Sequence, residues 1–221
     1  MSIAREVADG VALIRMDDGR VNAMDSNVFA ALGRAFDACA GDSAIVLTGR
    51  EGMFSAGLNI KVLAGLDAGG LADLLRDFGR TMLRIWLEPR PVVVAATGHA
   101  VAGGTILAMC ADHAVAADGP FKWGLNETSI GFVLPEWTIA IARGNVASHR
   151  IDDLLLPGAM VEPAEAVAVG FADAVASPDQ VVSVALTRAQ ELAALPREAY
   201  AATKRQLRGP AADAALTSLL T

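Results

Sequence analysis

Two short glycine-bearing segments and one acid are the residues of this chain best suited to chemistry. Phe54-Ser55-Ala56-Gly57-Leu58-Asn59-Ile60 is the first segment, and Gly98-His99-Ala100-Val101-Ala102-Gly103-Gly104-Thr105 is the second. Gly124-Leu125-Asn126-Glu127 carries the acid. Each glycine segment lies where an apolar, strand-like run gives way to a helix-like one. Amides at such a junction have no intrahelical acceptor. Two of them aimed at one point would stabilise a developing oxyanion, and the small residues would let a bulky ligand approach the backbone. Glu127 is the acid placed to move a proton. Its sequence neighbours Trp123, Leu125, Ile130 and Phe132 are apolar, a setting that raises carboxylate basicity and keeps water away.

Such groups need a rigid frame, and the hydrophobic pattern supplies one. Val11–Met16, Ala44–Thr48, Val92–Ala96 and His113–Ala117 read as buried strands. Helices are expected over Asn27–Cys39 behind an Asp25-Ser26 cap, Leu71–Leu87, Gly103–Ala111, from near Pro135, and over Ile151–Leu156. Asn59 is placed to cap whatever follows the first segment. The repeated order of strand, turn, helix and strand predicts a layered α/β fold with buried strands. From Glu162 onward the pattern turns mainly helical: Pro163–Gly170, a short extended piece over Phe171–Ala176, then Pro178–Leu195 and Arg197–Arg208. The division drawn from this is a core of residues 1–160 and a C-terminal helical region of residues 161–221. The apolar stripes of its helices need the core or a neighbouring subunit as partner.

The 221 residues suffice for one sizeable core. Net charge is −7, with no dense Lys/Arg cluster, so nucleic-acid binding is not expected. The longest apolar stretch, Pro91–Ala117, is broken by Thr97-Gly98, His99, Asp112 and His113 and reads as strand, loop and helix, not a membrane span. Cys39 and Cys110 read as reduced core thiols of a cytoplasmic protein, and Met1–Glu6 lacks a signal-peptide core. The three histidines do not group with cysteines or acids at ligand spacing, so no metal site is expected. Neither a serine nucleophile elbow nor a dinucleotide fingerprint is present.

Taken together, the segments resemble a known family. Phe54–Ile60 resembles the first signature of the crotonase (enoyl-CoA hydratase/isomerase) superfamily, and Gly98–Thr105 its second. Asp112 falls where the family often has an aspartate. Gly124–Gly131, with Pro135 and Trp137, is most similar to the Δ3,Δ2-enoyl-CoA isomerase branch, and Pro163–Asp173 is similar to the family's later helix-and-strand passage. The likeness runs from about Val11 to Lys204.

The resemblance implies a crotonase-like core, a spiral of ββα turns, with C-terminal helices that build homotrimers, often paired into hexamers. It implies an acyl-CoA thioester as substrate, with no cofactor beyond that coenzyme A. Residue by residue, it makes the Ala56 and Gly103 amides the oxyanion hole and Glu127 the base and then the acid. Gly57, Leu58, Asn59, Ile60, Gly104, Ile106, Trp123 and Glu136 complete the expected substrate-binding set. It also implies that Arg20–Ala23 runs along the pantetheine and adenine, that Lys61 reaches the CoA phosphates, and that Lys204 and Arg205 lie near a neighbouring subunit's nucleotide. In hydratases a second carboxylate, three residues past the central glycine of the second signature, activates water. Ile106 stands there, which favours isomerisation. Two alternatives remain open on the sequence: a hydratase or another enolate chemistry using Glu127 with Glu136, and a non-catalytic acyl-CoA-binding protein.

Overall fold

In the computed structural model, which describes residues 1–219, the chain opens with a hairpin, β1 (Ser2–Ala8) and β2 (Val11–Asp17), turned by Asp9 and Gly10 at positive φ. Helix α1 (Ser26–Ala38) follows, its N-terminus capped by the Asp25 carboxylate, which accepts from the Asn27 and Val28 amides. Three ββ units then alternate with helices. They are β3 (Ala44–Thr48) with β4 (Gly52–Ser55), β5 (Val92–Ala96) with β6 (Gly98–Val101), and β7 (His113–Ala117) with β8 (Trp123–Gly124). The first unit leads into α2 (Ile60–Leu63) and α3 (Ala68–Trp86), the second into α4 (Gly103–Met109), the third into α5 (Glu136–Arg143). The odd members join a six-stranded sheet in the order β1-β2-β3-β5-β7-β9, where β9 is Ala174–Ala176, and the even members form a three-stranded sheet, β4-β6-β8. This is the ββα spiral that the family resemblance implies.

Alternation along the large sheet explains why its central strands read as unbroken apolar runs. Ile14, Ile45, Leu47, Val92, Val94 and Ala116 face one hydrophobic cluster. Val11, Val46, Val93, Ala95 and Val115 face another, covered by Val181, Ala185 and Ala189 of a C-terminal helix. Parallel strands buried on both faces carry no polar alternation.

The remaining helices are α6 (Ile151–Leu155), α7 (Pro163–Val169), α8 (Val181–Ala193) and α9 (Arg197–Ser218). Residues past 160 thus supply β9 and the α8 cover of the sheet as well as further helices. The C-terminal helix was expected to end at Arg208. It runs on to Ser218 through Pro210, whose missing N–H costs a helix about 3 kcal/mol. Burial of Gly209, Ala212 and Ala215 holds the distal turns in place.

Candidate active site

The three ββ units bring the two glycine segments side by side, because β4 and β6 pair in parallel. Gly57, with φ of 84°, lies against the start of α4: a Cβ placed on it would sit 2.8 Å from the Gly103 nitrogen. Gly104 is packed tighter still, since a Cβ there would meet the Ser55 carbonyl oxygen at 2.2 Å. Ala102, between β6 and α4, holds φ 52° and ψ −122°. That turn directs the chain from strand into helix and leaves Gly103 as the first helical residue. The Thr105 hydroxyl donates to the Ala100 carbonyl (2.6 Å) and accepts from the Gly124 amide (3.0 Å), and the Ala102 amide donates to the Gly124 carbonyl (2.8 Å). The start of α4 is therefore tied directly to the segment that carries Glu127.

A cavity of about 270 Å³ opens beside this junction. Of the expected site residues, Ala56, Leu58, Ile60, Gly103, Ile106 and Glu127 line it. So do Leu63, Leu71, Leu75 and Phe78, which close the side formed by α2 and α3. Phe78 is fixed by stacking on Phe29 (5.3 Å between centroids) and by an edge contact with Trp137 (4.8 Å).

The Gly103 amide has no acceptor among the described residues, as an oxyanion donor requires. The expectation for Ala56 needs correction. Its N–H donates to the Val21 carbonyl at 2.9 Å and cannot also serve a ligand. The Leu58 amide, two residues on, has no acceptor among the described residues. The Met24 amide donates to Gly57 O (2.8 Å) and the Asn59 amide to Met24 O (2.8 Å), so Leu58 turns its own N–H away from that ladder. In an unbroken strand Ala56 and Leu58 would point the same way. Gly57 at positive φ breaks the alternation. Nothing in the sequence revealed that Val21 stands opposite Ala56. The Arg20–Ala23 loop is stitched to this segment: Asn22, fully buried, donates through Nδ2 to Met16 O and Phe54 O (3.0 Å each), and Ser55 Oγ donates to Asn22 O (2.8 Å).

Glu127 sits at the head of a single 3-10 turn, Thr128–Ile130. Its carbonyl accepts from the Ile130 and Phe132 amides (3.1 and 2.9 Å), which fixes the loop. Its Oε2 is buried and has no hydrogen-bond partner. Burial pushes the carboxyl from its ordinary 4.5 up to about 7. That places it where a group can both take and return a proton near neutrality.

Other expected residues fall elsewhere. Glu136 opens α5, exposed to solvent, and does not line the cavity, so its expected place in the substrate-binding set, and as a second acid, is corrected. Trp123, in β8, is wholly buried and does not line the cavity either. Asn59 caps α2, accepting from the Lys61 and Val62 amides (3.2 and 3.4 Å); it and Gly57 and Gly104 shape the backbone without lining the space. Lys61 is exposed beside Ile60. Lys204 is not a surface cation: it is buried and donates to Glu88 O (2.6 Å), Arg90 O (2.8 Å) and Asp112 Oδ2 (2.5 Å). Asp112 also meets Arg208 (2.9 Å) and accepts from the Val92 amide (2.8 Å), so this cluster ties α9 to the sheet. His99 accepts from the Lys122 amide (3.0 Å), a satisfied loop histidine. No helix among the described residues is long and apolar enough to cross a membrane.

Residues 6–220 match the family model described as enoyl-CoA hydratase/isomerase. A mitochondrial enoyl-CoA delta isomerase 1 of Mus musculus is 30% identical over 92% of this chain and 72% of its own length. A putative enoyl-CoA hydratase of Thermus thermophilus is 34% identical over 83% of this chain and 74% of its own. The crystal structure of human mitochondrial delta3-delta2-enoyl-CoA isomerase superposes with a TM-score of 0.92 at 27% identity, covering 98% of this chain and 90% of that one.

Proposed function

The chain belongs to the enoyl-CoA hydratase/isomerase family, and from that premise we propose that it moves a double bond from position 3 to position 2 of an enoyl-CoA thioester. The substrate's thioester oxygen lies between the Leu58 and Gly103 amides. Glu127 takes a proton from C2, and the electron pair runs into the carbonyl to give a dienolate whose oxygen the two amides hold. The same carboxyl then returns the proton to C4 while the electrons shift back, leaving the C2–C3 double bond. Removing one donor of such a pair costs a reaction about 3 kcal/mol of barrier.

The observation that carries this reading is the lone carboxylate. Glu127 is the one ionisable side chain lining the cavity among the described residues, and Ile106 lines the wall where water activation would need a second acid. The exposed position of Glu136 argues against its joining Glu127 in hydration. The test is a side-by-side assay of the purified protein on a 3-enoyl-CoA and on crotonyl-CoA. Fast isomerisation with slow hydration is expected. Dominant hydration would replace this reading with the hydratase one. Tight acyl-CoA binding without turnover of either would leave a non-catalytic binder. A homotrimer or hexamer is part of the same proposal, supported by exposed Leu195 and Leu207 on the C-terminal segment and checked by light scattering. A cytoplasmic site of action is proposed with it and checked by fractionation.

A further inference from the structure

Most side chains lining the cavity are hydrocarbon, and three of its side-chain oxygens stand out. Glu127 Oε2, Asn126 Oδ1 and Thr138 Oγ1 are each buried without a hydrogen-bond partner, and all three residues line the same space. Glu127 is accounted for by proton transfer. Thr138 is not. It is fully buried on the first turn of α5. The other buried threonines, Thr48, Thr97 and Thr105, each donate to a backbone carbonyl, at 2.9, 2.7 and 2.6 Å. A helical threonine usually does so toward the preceding turn. In the turn before Thr138, the Pro135 carbonyl already accepts from the Thr138 and Ile139 amides (3.0 and 3.1 Å). A hydroxyl left unpaired in a buried wall is destabilising, so its natural partner is a group that enters the cavity.

We propose that the acyl chain accepted here carries a hydroxyl group, and that Thr138 recognises it and sets the preference for such chains. The lining chemistry selects this class. No cationic side chain lines the cavity among the described residues, and Glu127 is there, so a carboxylate on the chain would be repelled. A keto group only accepts, whereas Asn126 Oδ1 requires a donor and Thr138 can do either; a hydroxyl satisfies both kinds of atom. The proposal takes its reaction from the isomerase reading above, but its binding arm stands without turnover.

The experiment uses matched thioesters: a plain 3-enoyl-CoA and a set bearing one hydroxyl at successive carbons beyond the double bond. One member of the set should exceed the plain chain in kcat/KM by about tenfold, the worth of one well-made hydrogen bond. Thr138→Val should bring that ratio close to one. Saturated acyl-CoA and hydroxyacyl-CoA pairs, titrated calorimetrically, should show the same ratio in Kd and the same collapse. If the binding ratio holds while no 3-enoyl-CoA is turned over, the isomerase reading fails and this proposal stands. A second readout is the stability of the unliganded protein. Removing an unsatisfied hydroxyl should leave Tm unchanged or raised in Thr138→Val, and a clear fall would show the hydroxyl already bonded within the protein, overturning the argument. Equal ratios in wild type and variant across the whole set would overturn it as well.

Discussion

Glu127→Gln keeps the shape of the side chain and removes its ability to ionise. Two effects of opposite sign should follow. The variant loses its general base and acid, a contribution of about 10²–10⁴ in rate. Against this, the wild-type carboxyl is held at about 7 by burial, against its ordinary 4.5. At ~1.4 kcal/mol per pH unit that gap amounts to ~3 kcal/mol. Because the folded value is the higher one, the folded protein keeps a proton that the unfolded chain has already released between pH 4.5 and about 7. Stability therefore falls as pH rises through this window, and above it the folded state carries the whole cost of a buried charge. Gln carries none of it. The variant should unfold ~3 kcal/mol harder than wild type above pH 7, about 6–12 °C in Tm for a chain of this size. The difference should vanish below the ordinary carboxyl value. Wild-type kcat/KM should climb through about pH 7 as the base forms. The assays are steady-state isomerisation of a 3-enoyl-CoA and thermal melts across pH. Near-normal turnover by the variant, or parallel melting curves at all pH values, would refute the placement of this acid.

Gly57→Ala should lower kcat by about 10²–10³ with circular dichroism unchanged, because a methyl at φ 84° presses on the Gly103 amide and shifts the donor pair; unchanged kcat would clear this junction of a catalytic role. Lys204→Met strips Asp112 of one partner in a buried cluster and should cost about 3–5 kcal/mol in urea unfolding. Its KM for acyl-CoA should stay at the wild-type value, since the ammonium is spent inside the protein, and a raised KM would restore the expected nucleotide contact. Cys39 and Cys110 are fully buried, and burial pushes both thiols up, so neither should react with a thiol reagent at pH 8 until denaturant is added, as intact mass reports.

The long, strongly periodic parts of the fold were legible. Val11–Met16, Ala44–Thr48, Val92–Ala96 and His113–Ala117 all fall within strands as expected, because a strand apolar on both faces declares itself by composition. Strands β4, β6 and β8 were not legible, since two to four residues carry no periodicity and their pairing depends on neighbours distant in the chain. At the site, Glu127 and Gly103, singled out by motif spacing, both line the cavity. The free amide at Leu58 in place of Ala56, the burial of Lys204 and the outward Glu136 were hidden for one reason. Each depends on which group from another element stands opposite. Thr138 gave no local signal, because an unpaired hydroxyl is a property of the packed wall and not of the residues beside it.

Ala102 carries a further consequence. A residue with a Cβ at φ 52° and ψ −122° is conformationally frustrated by about 1–3 kcal/mol, held there only by the strand and helix that grip it on either side. Loosening either grip lets the peptide swing back, and with it the amide of the next residue. Moderate heat or dilute denaturant should therefore silence the enzyme while its secondary structure is still intact, so that inactivation runs ahead of melting.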